Sequence, residues 1–164
     1  MTDKPTAKKR PTQLDSPLVP KMMRIMSRMH VRVYRATGGR IGGTWRVGSA
    51  LRSGVPTCLL TTTGRKSGQQ RTNPLLYMRD GDRVVLVASQ GGLPRHPSWY
   101  HNITADPEVT IQIGKQVLRM RAHEADEAER AELWPKLLEV YSDFNSYQSW
   151  TERTIPIIVC EPLD

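Results

Sequence analysis

The feature that most restricts the fold is a series of short β-branched and apolar runs, each cut off by glycine or by Asp-Gly. Pro56–Thr63 (PTCLLTTT) lies between Gly54 and Gly64 and reads as a buried strand. Asn73–Arg79 reads as a second. Asp80-Gly81 then turns the chain into Arg83–Ser89, a hairpin signature because glycine tolerates the positive φ of a tight turn. Val109, Ile111 and Ile113 alternate with polar residues, Gly114-Lys115 reverses the chain into Val117–Ala122, and Ile155–Cys160 is a last strand. Between them the pattern predicts a short helix near Pro97–Ala105 and a longer one from about Asp126 to Tyr141. Asp126 and Glu129 have capping-box spacing, and Pro135 predicts a kink or split. A doubly wound parallel sheet needs regular helices between its strands, and these are absent. The expected fold is α+β: a closed or partly closed barrel of about six mostly antiparallel strands with flanking helices.

The chain's 164 residues suit one domain, and its 38% hydrophobic content is enough for a core. No apolar run is long enough to span a bilayer, and the N-terminus shows no secretory signal pattern. Cys58 and Cys160 sit far apart within apolar runs, which fits neither a disulfide framework nor a zinc site and suits the reducing cytoplasm. His30, His96, His101 and His123 have no metal-ligand spacing, so no metal is expected. Net charge is +8, yet residues 1–48 carry 11 Lys/Arg against Asp3 and Asp15, while residues 49–164 are nearly neutral. With no recognition-helix, zinc-finger or ribonucleoprotein motif behind that charge, no nucleic-acid role is expected.

The organisation follows. Residues 1–17 are expected to be a disordered basic arm, 18–48 an amphipathic helix with a glycine-rich linker, and 49–164 the cofactor-binding barrel. In the helix, Leu18 to Thr37, Met22, Ile25, Met26, Met29, Val33 and Ala36 share one face, while Lys21, Arg24, Arg28, Arg32 and Arg35 share another. Pro20 suits its first turn and Gly38-Gly39 its end. Two readings stand: the methionines pack on the domain while the arginines face water, or the helix lies on an anionic membrane with its methionines in the headgroup layer.

Three segments carry chemistry. Thr61–Arg71 (TTTGRKSGQQR) places Arg65, Lys66 and Ser67 between Gly64 and Gly68, with Arg71 opening the next strand. Such a loop is either a clamp for an anion, with guanidinium and ammonium donors, or a solvated basic turn. It lacks Walker A spacing, so ATP hydrolysis has no support. Ala88–Asn102 (ASQGGLPRHPSWYHN) passes from strand to helix through Gly91-Gly92, and can set Ser89 against a flat ligand while Trp99 and Tyr100 anchor the core. Tyr141, Phe144 and Tyr147 lie three apart, a stripe that either packs core or walls a pocket. The three features together suit a large, anionic, planar cofactor.

LLTTTGRKSGQQRTNPL (Leu59–Leu75), VASQGG (Val87–Gly92), PSWYHN (Pro97–Asn102), ELWPKL (Glu132–Leu137) and YQSWTERTIPIIVCEP (Tyr147–Pro162) resemble the deazaflavin-dependent nitroreductase and quinone reductase family of actinobacteria. The resemblance runs from about Pro56 to Pro162, in order and with similar spacing. It implies a split β-barrel of the FMN-binding type and coenzyme F-420 (8-hydroxy-5-deazaflavin) as cofactor. The implied activity is hydride transfer from the reduced coenzyme to quinones or other electron-poor acceptors, among them coumarin-type lactones and nitroaromatics.

By that resemblance Arg65, Lys66 and Arg71 hold the coenzyme's phosphate and polyglutamate tail, and Ser67 and Gly68 shape the loop. Asn73, Pro74 and Leu75 border the ring, as do Ala88, Ser89, Gln90 and Gly91, with Trp99 and Asn102 supporting that edge. Tyr141, Phe144 and Tyr147 line the acceptor side. Ser89 and Tyr147 are the expected catalytic pair, one bonding the ring or a developing oxyanion, the other supplying a proton. Phe144 stands where the nitroimidazole-activating member has tyrosine, which argues against prodrug activation. Gln90 stands where lysine is frequent, which removes a cation near the ring. Two alternatives remain at this level: an FMN- or haem-binding split barrel, and a non-catalytic deazaflavin-binding module. The expected location is cytoplasmic, peripheral to the membrane's cytoplasmic face if residues 18–37 touch lipid.

Overall fold

The computed structural model describes Thr12 and residues 16–163, so most of the basic arm expected to be disordered lies outside the described residues. The chain opens with α1 (Leu18–Thr37), followed by the short β1 (Thr44–Trp45) and a 3-10 turn at Gly48–Ala50. Then come β2 (Val55–Thr63), β3 (Gln70–Leu76), β4 (Met78–Asp80) and β5 (Arg83–Val87). After α2 (Ser98–Ala105) follow β6 (Glu108–Ile113), β7 (Gln116–Glu124), α3 (Glu127–Val140), α4 (Asp143–Ser149) and β8 (Ile157–Pro162).

Every strand pairing is antiparallel, in the order β1-β2-β6-β7-β8-β5-β4, with β3 on the other edge of β2. Only Tyr77 separates β3 from β4, and its N–H donates to the Pro56 carbonyl. A single bent stretch therefore pairs with β2 at one end and β5 at the other, and the sheet curls into a split barrel. Counting that stretch once and setting aside the two-residue β1 leaves the six strands expected. The second expected strand, Asn73–Arg79, begins earlier and breaks at Tyr77. Pro74 sits in β3, which is paired on one side only, where a proline costs the sheet least.

The core lies on both faces of the sheet. Leu60, Val84, Leu86, Ile111, Met120 and Ile158 fill the barrel beneath Trp99 and Ile103 of α2. Val55, Val85, Val87, Ile157 and Val159 face outward under Leu133 and Leu137 of α3. This double burial explains why β5 and β8 read as unbroken apolar runs, whereas β7, solvated on one face, alternates. Cys58 and Cys160 are free thiols in the barrel interior. Burial pushes both thiols up, Cys160 to about 12, so neither is a ready nucleophile.

In α3, Asp126 accepts from the Glu129 N–H at 2.9 Å and Glu129 accepts from the Asp126 N–H, completing the capping box. The helix continues through Pro135 and is not split. The carbonyl freed by the missing N–H belongs to Ala131, and both residues are exposed, so water can satisfy it.

Helix α1 corrects one expectation. Its packed face is formed by Val31 and Tyr34, the latter 1% exposed. The Tyr34 hydroxyl donates to the Thr57 carbonyl at 3.1 Å and accepts the Gly114 N–H at 2.8 Å. His30 Nε2 donates to the Gly42 carbonyl at 2.7 Å and ties the following loop to the helix. Met22, Ile25, Met26 and Met29 do not pack on the domain; they are exposed, Met26 by 63%. At 3.6 residues per turn the helix carries three stripes, one packed, one basic and one apolar without a partner among the described residues.

Candidate active site

Two glycine loops and the aromatic stripe hold the expected site residues. In the first loop Gly64 N–H donates to the Gln69 carbonyl and Gly68 N–H to the Gly64 carbonyl, both at 2.7 Å, closing a tight turn between β2 and β3. Ser67 Oγ accepts from the Gln69 N–H at 3.2 Å. Arg65, Lys66, Ser67, Gly68 and Arg71 are exposed, and nothing stands within 4 Å of where a Gly68 Cβ would lie. Buried Asn102 anchors this loop: its Oδ1 accepts from the Arg65 N–H at 3.2 Å, and its amide donates to Thr62 Oγ1 at 3.0 Å. Through Asn102, α2 thus fixes the base of the basic loop, whereas the expected support was for the ring edge.

The second loop runs from Ala88 to Leu93. Ala88 and Trp99 belong to the barrel core, against which Leu75 also packs, so two expected ring-border residues and one expected supporting residue converge on one cluster. Asn73, Pro74 and Leu75 are half-buried along β3, opposite Leu60, Leu59 and Cys58. Ser89 is buried, and Gln90 takes φ 45°, the only non-glycine positive φ among the described residues. Gly91 and Gly92 follow at φ 62° and 76°. Three successive left-handed residues require support from outside the loop. The Gln90 side-chain amide curls back to 3.2 Å from the Arg95 and His96 carbonyls, acceptors that only its NH2 group can satisfy.

The aromatic stripe divides. Tyr141 and Phe144 are buried with their rings 5.0 Å apart, whereas Tyr147 is half-buried. The Tyr141 and Tyr147 hydroxyls are 3.1 Å apart. Burial, and then the bond to Tyr147, drives the Tyr141 phenol up and keeps it protonated. Tyr141 and Phe144 thus serve chiefly as core, and Tyr147 carries the accessible edge. A Cβ on Gly92 would lie 2.8 Å from the Tyr147 carbonyl oxygen, so the second loop and α4 are in direct contact.

Sequence reasoning missed Arg153. Its Nε donates to the Leu93 carbonyl at 2.9 Å, and its terminal nitrogens donate to the carbonyls of Ala88 (3.2 Å) and Ser89 (2.8 Å) and to His96 Nδ1 (2.9 Å). These partners lie 57 to 65 residues away in sequence, too far for any periodic signal to reveal.

The donor set fits a long polyanion with a flat head: one loop offers exposed cations with open space at Gly68, the other open space at Gly91. The family model described as F420H(2)-dependent quinone reductase matches residues 26–162. The chain belongs to this family.

A Mycobacterium tuberculosis relative named as an F420H(2)-dependent quinone reductase is 41% identical over 135 residues, spanning 80% of this chain and 87% of its own. Another from that organism, provisionally given the same name, is 46% identical over 117 residues, spanning 71% of this chain and 98% of its own. Among solved structures, an F420-H2 dependent reductase (FDR-A) is 42% identical with TM-score 0.61, covering 65% of this chain and 94% of its own. A second, described as a domain-swapped dimer, is 33% identical with TM-score 0.63, covering 93% of this chain and all of its own. As a family member the chain is an F-420-dependent oxidoreductase acting on quinones. The FMN, haem and non-catalytic alternatives give way to it. Among the described residues no helix is long and apolar enough to cross a membrane.

Proposed function

We propose that the two glycine loops divide the coenzyme between them. Arg65, Lys66 and Arg71 hold the phosphate and acidic tail, with Ser67 and Gly68 shaping the turn. Asn73, Pro74, Leu75, Ala88, Ser89, Gln90 and Gly91 border the ring. Trp99 and Asn102 support that border. The observation that carries this reading is the Asn102 bridge, which joins the basic loop to the helix that follows the second loop. When bound, the reduced coenzyme supplies a hydride. The protein's part is orientation and exclusion of water. Ser89 offers its hydroxyl to the ring or to the acceptor's developing oxyanion, and Tyr147 or water returns the proton.

The acceptors extend from quinones to activated enones such as coumarin-type lactones. Nitroaromatics are the weakest candidates, because Phe144 offers no hydroxyl. Fluorescence titration with coenzyme F-420 and, in parallel, FMN tests the site, followed by turnover with menadione. Saturable binding of the deazaflavin alone, with menadione reduced, is the expected result; binding of FMN alone overturns it.

The apolar stripe of α1 lies beside a stripe of five basic residues, and the helix has no acidic one. That pairing supports a peripheral seat on the anionic cytoplasmic face of a membrane, where lipid quinones reside. Met22→Ser/Met26→Ser/Met29→Ser leaves Tyr34 in place and should abolish flotation with phosphatidylglycerol vesicles. Equal flotation refutes the seat. So does a vesicle-independent dimer closed by the same stripe, the outcome that the domain-swapped relative would favour.

A further inference from the structure

We infer that Arg153 is the positioning residue that holds the Ala88–Leu93 loop in its ring-bordering shape, with His96 as the neutral acceptor that orients the guanidinium. The inference rests on the reading of that loop as the coenzyme's ring edge.

The loop cannot hold its shape by local preference. Gln90, Gly91 and Gly92 occupy the left-handed region in succession, and for Gln90 the side chain makes this costly. Its internal bonds, Gly92 N–H to the Ser89 carbonyl and Leu93 N–H to the Gln90 carbonyl, are short-range ones. Arg153 grips the loop from outside at both ends, through the Ala88 and Ser89 carbonyls where it begins and the Leu93 carbonyl where it closes. The planar fork suits this: its five donors point in fixed directions and meet three carbonyls and His96 Nδ1 together, four acceptors for which an ammonium group has only three donors.

Among the described residues no carboxylate pairs with the guanidinium, and its charge is answered by carbonyl dipoles and by His96 Nδ1. Backbone anchorage of this kind continues behind it, since Gln148 donates to the Arg153 carbonyl and accepts from the Ile155 N–H. The side chain thus links the start of β8 and the α4 aromatic wall to the loop.

His96 accepts only while Nδ1 carries no proton, so its proton sits on Nε2. Four groups face the ring. Arg153 and His101 disfavour a second proton, Glu124 favours one, and the Tyr100 ring lies tilted against the imidazole at 4.4 Å while its hydroxyl donates to Glu124. Burial outweighs Glu124, and the imidazole is held below its ordinary value. Acidification through that lowered value places a second cation against the guanidinium and removes its acceptor.

The test compares wild type with Arg153→Lys, which keeps the charge and loses the fork, and His96→Asn, whose amide oxygen accepts without titrating. Hydrogen exchange is followed in the peptide covering residues 88–97, with coenzyme F-420 affinity read by fluorescence between pH 5 and 8. Arg153→Lys should speed exchange in that peptide relative to β6 and β7, and weaken binding roughly ten-fold, the worth of one charge-assisted bond. Wild-type affinity should fall on acidification more steeply than that of His96→Asn. Unchanged exchange in Arg153→Lys overturns the positioning role and leaves the ring-edge reading intact. Faster exchange with unchanged affinity overturns the ring-edge reading and this inference with it. Parallel pH profiles for wild type and His96→Asn remove His96 from the assignment.

Discussion

The two glycine loops at the candidate site are built on opposite principles. The stretch from Arg65 to Arg71 is exposed, carries three cations and is tied down from outside by one buried amide, Asn102. Ala88–Leu93 is largely buried, adopts three left-handed residues and is stapled by Arg153. A solvated charged loop attracts a flexible polyanion with little geometric demand. A strained, anchored loop fixes the position of a ring, which hydride transfer requires. On the proposed reading, affinity and orientation are thus separated along the coenzyme's length.

The hardest break in this comparison is Gly92→Ala. Its methyl group would meet the Tyr147 carbonyl oxygen at 2.8 Å from a residue at φ 76°. The expected cost is about 3 kcal/mol, read as a lowered Tm; an unchanged melt would remove the rigid contact between loop and α4. Ser89→Ala should reduce turnover on the order of 100-fold while coenzyme affinity stays near wild type. Equal losses in both would make Ser89 a binding group. Asn102→Leu strips the Arg65 N–H and Thr62 of their partner and should cost about 2 kcal/mol in denaturant unfolding, with weaker coenzyme binding. Arg65→Ala, Lys66→Ala and Arg71→Ala should each weaken binding by about 1 kcal/mol at low salt and by less at high salt. Turnover at saturating coenzyme should not change. If the losses are insensitive to salt, the loop is not a solvated clamp. An effect of the same small size belongs to Gly68→Ala, which meets open space and should cost about 1 kcal/mol of stability for its backbone alone.

Much of the barrel was legible because strand signals are local. Pro56–Thr63, Val109–Ile113 and the Asp126 capping box fall where their residue patterns put them. Boundaries slipped where tertiary pairing decided them: β3 starts at Gln70 because it pairs with Thr63 across the basic turn, a polar pair with no apolar signal. The site was legible as three segments, but the division of labour within the aromatic stripe was not. Spacing alone puts Tyr141, Phe144 and Tyr147 on a common face, and only packing under α3 buries the first two.

Sequence by itself determined the antiparallel barrel, the extents of α1 and α2, the basic loop and the family, since each depends on residues near one another in the chain. Tertiary structure alone decided three matters. It turned the methionines of α1 outward, because Tyr34 found a buried slot between Thr57 and Gly114 and so set the helix's rotation. It joined the basic loop to α2 through Asn102. It brought Arg153 onto carbonyls some sixty residues away, because a strained loop needs donors that local sequence cannot supply.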